Sequence, residues 1–285
     1  MSRRWRTARF EVDLSRPRVM GIVNVTPDSF SDGGRYADEV AAIEHCEQLL
    51  AEGAELLDVG GESTRPGART PSADEELARV LPVLRHAVTL GVPVSVDTSE
   101  PTVMRAALEL GVDIVNDVRA LCRAGALQAV AAHPSAGLCL MHMQGEPGTM
   151  QAAPRYEDPL QDVASFLAGR RDAALAAGIG AERIVLDPGI GFGKSVEHNL
   201  ALLARQQELL ALGSPLLVGW SRKSTLGAVT GRPVGERLVA SVAAALIAVE
   251  RGARIVRVHD VAATVDALKV WCATMAAAQT TRPAP

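Results

Sequence analysis

The stretch IVLDPGIGFGK at residues 184–194, followed by Ser195, contains residue types that could bind a nucleotide phosphate. A phosphate-binding loop needs Gly, four residues, and then Gly-Lys-Ser/Thr. Counting back from Lys194, the first glycine position is occupied by Pro188, which has a fixed φ and no N–H to donate. The glycines also run GxGxG rather than the GxGxxG of dinucleotide-binding loops. Neither nucleotide site is predicted, and Asp187, at the end of an apolar run, needs another explanation.

Asp187 is one of several polar side chains that end short β-branched runs. Each of these residues taken alone is typical of a turn or a helix N-cap. Together they indicate a binding site, because nearly every run ends in a group that can carry charge or form directional hydrogen bonds. The candidates are Asn24, Asp58, Asp97, Asn116, His142, Asp187, Lys223, Arg257 and His259.

The last of these runs predicts an anion site, because it contains two cationic or potentially cationic groups. Arg257 and His259 alternate with Val256 and Val258, so period two places them on the same face of a strand. We expect this face to point inward, because an outward Arg257 would be buried against helices without a partner. The planar fork of donors on arginine suits phosphate, and Lys223 adds positive charge from the neighbouring run.

A second group, Asp97, Asn116 and Asp187, offers hydrogen-bond acceptors together with one amide. Such a set suits a flat heterocycle with an amino-substituted, N–H-bearing edge, such as guanine or a pterin. The same oxygens would also suit Mg²⁺. The spacing along the chain does not decide between the two.

The elements that must position these residues alternate strand and helix eight times. The predicted strand regions are 19–26, 54–61, 92–98, 112–118, 137–143, 183–189, 215–223 and 254–260. The helical patterns between them are 38–52, 75–90, 101–110, 158–177, 196–212 and 236–251, several of them followed by glycine. Eight such units in about 250 residues predict an α/β fold, a closed (β/α)₈ TIM barrel with its site at the carboxyl ends of the strands. A doubly wound open sheet is the weaker alternative, because no GxGxxG is present.

Composition excludes several classes of function. The 285 residues are 48% hydrophobic, with a net charge of −4 and 3% aromatic residues, which argues against nucleic acid as a partner. The longest uninterrupted apolar run, residues 238–249, is too short to span a bilayer, so no membrane partner is expected. Four cysteines without a CxxC pair predict reduced, buried thiols and a cytoplasmic location.

We predict a single barrel domain over residues 17–276. It is preceded by an extension, residues 1–16, that forms a short strand or hairpin, and is followed by a flexible tail, residues 277–285. The connections after the first two strands, NVTPDSFSDGGRYAD and GGESTRPGART, are long and rich in Gly, Ser and Pro, so we expect them to be mobile and functional.

Eight segments of the chain contain the candidate residues named above. They are NVTPDSFSDGG (24–34), DVGGESTRPG (58–67), VDTS (96–99), NDV (116–118), LMHMQGEPGTMQ (140–151), LDPGIGFGK (186–194), WSRKS (220–224) and RVHD (257–260). Together these segments resemble, in order, the signature blocks of the dihydropteroate synthase family. The resemblance covers about residues 17–275 and is much more specific than any single motif.

The resemblance implies a TIM barrel that condenses 6-hydroxymethyl-7,8-dihydropterin diphosphate with p-aminobenzoate, giving 7,8-dihydropteroate and pyrophosphate. It also implies Mg²⁺ as cofactor, competition by sulfonamides, and a homodimer. The glycines after Asp187 would let the turn approach the pterin. The turn GEPG at residues 145–148 departs from relatives that often carry a basic residue near Gly148.

By motif, the resemblance assigns a role to residues of every block. Catalysis would depend on Asp97, Lys223, Arg257 and His259. The pterin would be bound by Asp97, Asn116, Met143, Asp187, Phe192, Gly219 and Lys223. The diphosphate would be bound by Asn24, Arg257 and His259, with Asn24 acting through Mg²⁺ as a metal ligand. The p-aminobenzoate would be bound by Phe30, Thr64, Arg65, Pro66 and Ser224.

Two rival hypotheses share part of this pattern. A pterin-barrel methyltransferase that uses methyltetrahydrofolate and a corrinoid protein would resemble the chain at the Asp, Asn and Asp positions, but would not explain STRPG, SRK and RVHD. A barrel that binds pterins without turnover would be expected to lack loop or anion-site residues, and none of these is lost.

Overall fold

The computed structural model of the protein describes residues 3–26, 35–63 and 69–280. Two short strands, β1 (Arg4–Arg6) and β2 (Glu11–Asp13), pair antiparallel at the N-terminus. Eight strands then form a closed parallel barrel, in which each pairs with the next in the chain and the last pairs with the first. They are β3 (Arg18–Asn24), β4 (Leu56–Gly60), β5 (Val94–Asp97), β6 (Ile114–Asp117), β7 (Gly137–Met141), β8 (Ile184–Asp187), β9 (Leu216–Val218) and β10 (Ala253–Val258).

Helices follow the barrel strands and surround them, so the predicted TIM barrel with its N-terminal hairpin is confirmed. The sequence patterns missed α4 and α7, because each is shorter than about two turns and leaves little periodicity to detect. The helices are α1 (Arg35–Ala51), α2 (Ala73–Ala87), α3 (Pro101–Glu109), α4 (Ala126–Ala131), α5 (Pro159–Ala176), α6 (Val196–Arg205), α7 (Ser224–Thr230), α8 (Leu238–Glu250) and α9 (Val261–Thr280).

Local chemistry explains where several helices start and stop. Helix α2 begins with a capping box, in which Ser72 accepts the backbone N–H of Glu75 and the Glu75 carboxylate accepts the N–H of Ser72. Helix α3 has Pro101 at its first position, where no N–H is needed. Gly53 and Gly178, which follow α1 and α5, adopt φ values of 101° and 89° that favour glycine.

The lower half of the barrel interior, nearest the amino ends of the strands, is a dry apolar layer. Strand residues of both neighbouring and opposite strands meet there with side chains of the N-terminal hairpin. The members of this layer are Trp5, Val12, Leu14, Met20, Leu56, Ile114, Cys139, Val185, Leu217 and Ile255. Because strand side chains alternate, the residues two positions further along each strand face the same interior, nearer the carboxyl end.

The hairpin closes the amino end of the barrel. Trp5 is fully buried, and its indole Nε1 donates to the carbonyl of Arg183 at 2.9 Å, just before β8. Arg9 pairs with the buried carboxylate of Asp113 at 2.7 Å, just before β6. Arg9, one of the arginines of the N-terminal segment, therefore forms an ion pair with the barrel.

The cysteine prediction is only partly correct. All four cysteines are free thiols, but only Cys46 and Cys139 are buried, whereas Cys272 is half-buried and Cys122 is exposed. Cys122 follows the left-handed residue Leu121 in the loop after β6, where no periodic pattern indicated its exposure.

The last helix differs from the expectation that no segment could span a bilayer. Residues 261–278 of α9 are long and apolar enough to cross a membrane by length and composition, and 17% of this window is buried. In the sequence, Asp266 and Lys269 interrupt this apolar window; the two residues form an ion pair at 3.2 Å. The helix leaves an apolar face exposed, including Val270 at 68%.

Truncating the indole that closes the barrel should destabilise the protein. We expect Trp5→Ala to lower the free energy of unfolding by about 3–5 kcal/mol, because it opens a cavity in a fully buried layer. Trp5→Phe should cost less, since it keeps most of the volume and removes only the donor to Arg183. Urea unfolding of both variants measures this difference; equal losses would contradict the packing role.

Candidate active site

A cavity of about 740 Å³ opens at the carboxyl ends of the barrel strands. It brings together nine of the predicted site residues, which come from six of the eight strands or from the segments directly after them. These nine are Asn24, Asp97, Asn116, Asp187, Phe192, Gly219, Lys223, Arg257 and His259.

Strand alternation explains why these side chains converge. Val185 and Ile255 belong to the apolar interior layer, so Asp187 and Arg257, two positions later, also face inward. The same step from Arg257 leads to His259, which lies just beyond the end of β10. The barrel therefore carries a polar layer directly on top of an apolar one.

Some predicted residues are not part of this lining. Met143 and Ser224 are absent from it: Met143 follows the end of β7, and Ser224 is exposed at the first position of α7. Met141, the last residue of β7, lines the cavity instead. The remaining predicted residues, Phe30, Thr64, Arg65 and Pro66, lie outside the described residues.

Arg257 spans the barrel interior and joins two carboxylates. Its Nε donates to Asp58 at 2.5 Å, and its Nη2 donates to Asp97 at 2.7 Å. Although burial acts to lower it, Asp58 and Asp97 raise the pKa of Arg257 above its ordinary value. The predicted inward orientation of Arg257 is thus what the structure has, and the cation is held by partners on β4 and β5.

Asp58 also fixes the orientation of Asn116. Its Oδ2, which already accepts from Arg257, accepts the Asn116 amide Nδ2 at 3.1 Å. The amide nitrogen is therefore directed away from the cavity, and the Asn116 oxygen is left for a ligand. Asp58 itself is fully buried, and its Oδ1 has no hydrogen-bond partner in the part of the chain that the structure describes.

Two acidic residues of the lining, Asp97 and Asp187, keep unused acceptors. Burial raises the pKa of Asp97, with Arg257 acting against this effect. Burial also raises the pKa of Asp187, to about 6, although the backbone N–H of Gly189, which donates to Oδ1 at 2.7 Å, acts in the opposite direction. One oxygen of each carboxyl has no bond within the described ranges, so each can accept from a ligand.

Lys223 supplies the complementary donor. Its Nζ lies 4.2 Å from the centre of the Phe192 ring, a cation–π contact, and forms no hydrogen bond within residues 3–26, 35–63 and 69–280. Burial and the neighbouring Arg257 lower the pKa of Lys223 to about 8. The ammonium is thus partly desolvated and available to a ligand acceptor.

His259, just beyond the end of β10, lines the same cavity as a neutral imidazole. Burial, followed by the charges of Arg257 and Arg222, lowers the pKa of His259 to about 3. The Ser221 hydroxyl oxygen accepts the His259 backbone N–H at 3.1 Å and lies 3.0 Å from Nδ1. His259 therefore contributes a hydrogen bond rather than the second positive charge that the sequence analysis considered, and Arg222 is itself paired with Asp260 at 2.6 Å.

Free acceptors on Asp97, Asn116 and Asp187 and a free donor on Lys223 face one cavity. This pattern matches the edge of a flat heterocycle that has several N–H donors and one carbonyl acceptor. A cation among the same oxygens would meet the positive charges of Lys223 and Arg257. The geometry therefore favours the heterocycle over the metal for this group.

The comparisons with known proteins agree with this geometry. Residues 20–259 match the family model described as pterin binding enzyme. The dihydropteroate synthase of Neisseria meningitidis serogroup B is 55% identical over 273 residues, which is 94% of this chain and 96% of that protein. The chain belongs to the dihydropteroate synthase family.

Two solved structures of the family have the same fold. The Xanthomonas albilineans dihydropteroate synthase with 4-aminobenzoic acid superposes with a TM-score of 0.91, at 51% identity, covering 97% of this chain and 99% of that one. The Burkholderia cenocepacia dihydropteroate synthase complexed with 7,8-dihydropteroate gives 0.88 at 51% identity, covering 97% and 98%. Family membership favours the synthase hypothesis over the methyltransferase that the sequence left as a rival.

Close packing explains two of the three glycines in the glycine-rich turn. A side chain at Gly189 would collide with the carbonyl of His142, and one at Gly193 with the carbonyl of Gln144. These two glycines therefore let the turn pack on the neighbouring loop. Only Gly191, beside the Lys223 side chain, lies toward the cavity.

The structure also adds residues that the family motifs did not bring to attention. Arg119, almost fully buried, binds both oxygens of Glu62 at 3.2 and 3.3 Å and also binds Glu146 at 3.0 Å. Glu62 lines the cavity, and Glu146 belongs to the GEPG turn at residues 145–148. Arg119 therefore connects the cavity lining to the GEPG turn. No signal in the sequence indicates this connection, because no local pattern shows that Arg119 is buried.

Replacing Asp58 by its neutral isostere should disturb the site more than the fold. Asp58→Asn removes the charge that Arg257 and Asn116 share, so we expect a loss of about 3 kcal/mol in unfolding free energy and at least tenfold weaker pterin binding. Calorimetric titration with a pterin and urea unfolding measure the two effects. Asp266→Asn, the same change at an exposed position, should leave both within error; unchanged pterin affinity in Asp58→Asn would refute the orienting role.

Proposed function

We propose that the protein condenses 6-hydroxymethyl-7,8-dihydropterin diphosphate with p-aminobenzoate, giving 7,8-dihydropteroate and pyrophosphate. The observation that carries the proposal is the single cavity in which free acceptors on Asp97, Asn116 and Asp187 face a free donor on Lys223. Family membership supports it, because relatives of about 50% identity over nearly the whole chain are dihydropteroate synthases.

The pterin would bind with its N–H-bearing edge toward the acidic side of the cavity. Asp97, Asn116 and Asp187 would accept from the ring, and Lys223 would donate to its carbonyl. Phe192 and Gly219 would line the slot, the first by ring contact and the second by lacking a side chain. Met143 would contact the pterin only if the loop after β7 moved toward the cavity, and Met141 already lies in the lining.

The diphosphate would bind on the opposite side of the mouth. Arg257 has one guanidinium nitrogen, Nη1, without a hydrogen bond within the described residues, and His259 offers an imidazole N–H when its Nδ1 accepts from Ser221. Asn24 lines the same mouth, and its amide oxygen fits a Mg²⁺ ion held mainly by phosphate oxygens and water. When bound, Mg²⁺ would neutralise charge on the leaving diphosphate.

The chemistry needs charge stabilisation more than a nucleophile. The carbon–oxygen bond of the pterin methylene breaks with its electron pair on the diphosphate, where Arg257 and His259 stabilise the developing charge. The carboxylates of Asp97 and Asp187 favour the positive charge that develops on the ring. The arylamine nitrogen then forms the carbon–nitrogen bond and loses a proton.

The p-aminobenzoate would bind at the outer part of the mouth. Ser63 lines the cavity and directly precedes Thr64, Arg65 and Pro66, which supports a site built by this loop. Phe30 would join it from the other long loop. Ser224 would contribute from the start of α7, next to Lys223.

We also propose a homodimer in the cytoplasm. Large apolar side chains are exposed on α8 and α9 and on the segment around α7, including Val239 at 80%, Val270 at 68% and Val229 at 60%. A second copy of this chain would cover these surfaces. The free thiols, two of them accessible, support a reducing compartment.

A pyrophosphate-release assay tests the reaction, and two variants separate the two halves of the site. Release of pyrophosphate should require both substrates.

We expect His259→Ala to weaken binding of the pterin diphosphate about tenfold or more, with little effect on the pterin alcohol, because His259 binds the diphosphate. Asp187→Asn should weaken both ligands alike. No p-aminobenzoate-dependent release would refute the synthase, and equal effects of His259→Ala on both ligands would refute its role.

A charge placed on the exposed apolar surface should separate the two copies. Val239→Asp and Val270→Asp should convert the dimer to a monomer in light scattering, because each would bury an unpaired carboxylate in the interface. Leu175→Asp, on α5, is a matched control at an exposed leucine and should leave the mass unchanged. A wild-type monomer at micromolar concentration would contradict the proposal.

A further inference from the structure

Lys194, the lysine behind the glycine-rich turn, is buried and directed away from the cavity. It is 3% exposed and is not among the residues of the cavity lining. Its Nζ lies 2.9 Å from the carbonyl oxygen of Gly189, 3.0 Å from that of Phe192, and 2.8 Å from Nδ1 of His142. A buried lysine with three good acceptors has a specific task, and neither pterin nor diphosphate binding uses it.

The geometry fits a charged Lys194 and a neutral His142. An ammonium has three N–H groups for the three acceptors, whereas a neutral amine has two. Burial lowers the pKa of Lys194 to about 7, and Asp187 acts against this effect. Burial and Lys194 lower the pKa of His142 to about 3, so Nδ1 is an acceptor and the imidazole proton is on Nε2.

The two carbonyls that Lys194 binds belong to the turn that shapes the pterin slot. The Gly189 backbone N–H donates to Asp187 at 2.7 Å, and the Phe192 ring lies against the Lys223 ammonium. His142 follows β7, so its contact with Lys194 joins the loops after β7 and β8. A shift of Lys194 would therefore move a carboxylate partner and an aromatic wall of the slot together.

Lys194 also completes a charge balance. Asp58, Asp97 and Asp187 are three acidic groups of the interior, and Arg257 and Lys223 are two basic ones. Lys194 supplies the third positive charge, from behind the turn. The cations that act on Asp187 are Lys223 after β9, Arg257 on β10 and Lys194 in its own loop, and Asp187 in turn helps to raise the pKa of the buried Cys139 thiol on β7.

We propose that Lys194 and His142 form a clamp that positions Asp187 and Phe192 for pterin binding and provides fixed positive charge behind Asp187. Both are positioning residues, since neither lines the cavity. The inference rests on the proposed function for the identity of the ligand. The clamp makes the pterin slot depend on a lysine that resembles a phosphate-binding lysine only in sequence.

The first test is Lys194→Met, which keeps the length of the side chain and removes its charge and donors. We expect pterin affinity at pH 7 to fall at least tenfold by calorimetry. The acid limb of the pH profile for pterin binding, set by protonation of Asp187 near pH 6 in the wild type, should move to higher pH because a nearby cation is lost. Lys269→Met, the same change at an exposed site, should alter neither.

The second test varies the acceptor and does not depend on a buried charge being removed. His142→Asn places an amide oxygen where Nδ1 stood and should retain pterin affinity within about threefold, whereas His142→Leu should lose it as Lys194→Met does. Equal affinities in the two His142 variants would overturn the clamp. So would a folded Lys194→Met with wild-type affinity and an unmoved acid limb.

These measurements separate the clamp from the reaction. Pterin binding and its pH profile are read without turnover, whereas pyrophosphate release from the wild type tests the synthase. Absent release together with the predicted losses of pterin affinity would refute the synthase and support the clamp. Normal pyrophosphate release together with unchanged pterin affinities in the variants would support the synthase and refute the clamp.

Discussion

The polar half of the barrel depends on the ion pairs of Arg257. This guanidinium reaches from β10 to Asp58 on β4 and Asp97 on β5, so strands that do not pair with β10 are joined through the interior. A buried guanidinium alone, or two buried carboxylates alone, would each be strongly unfavourable. The three groups become compatible only when the barrel is closed. Asn116 then takes its orientation from the same carboxylate, so one network sets both the fold and the direction in which the site accepts hydrogen bonds.

The apolar layer beneath this network gives the site its electrostatic character. Trp5 and its neighbours exclude water from the lower half of the barrel, and the charged groups above them are held in a medium of low polarity. This is why burial moves the pKa of Asp187 up and that of Lys223 down, toward each other. A group whose pKa lies near neutral pH changes its protonation state readily. A ligand that donates to Asp187 and accepts from Lys223 therefore shifts both groups strongly toward their charged forms. A short hairpin at one end of the barrel thus influences the chemistry at the other end.

The sequence predicts features that local patterns set, such as the direction in which a strand side chain points. It does not predict roles that depend on residues distant in the chain but close in space. Strand alternation and the cost of burying a lone charge were sufficient to direct Arg257 inward. The same reasoning could not distinguish Asp58 from a turn former, since its task is visible only when Arg257 and Asn116 are placed beside it. His259 was considered as a cation, but burial beside Arg257 keeps it neutral. Met143 was selected by motif, whereas period two along β7 would have selected Met141, which lines the cavity.

The glycine-rich turn shows how similar residues can give opposite electrostatics. In a phosphate-binding loop the backbone N–H groups point at the ligand, and the lysine reaches the phosphates. Here the N–H groups of Gly189, Gly191 and Phe192 are all bonded within the protein, and two carbonyls converge on the ammonium of Lys194. Three N–H groups of the turn are therefore already used, and two of its carbonyls already bind a cation. This turn is therefore a poor anion site, which supports the proposed binding of the diphosphate at Arg257 and His259.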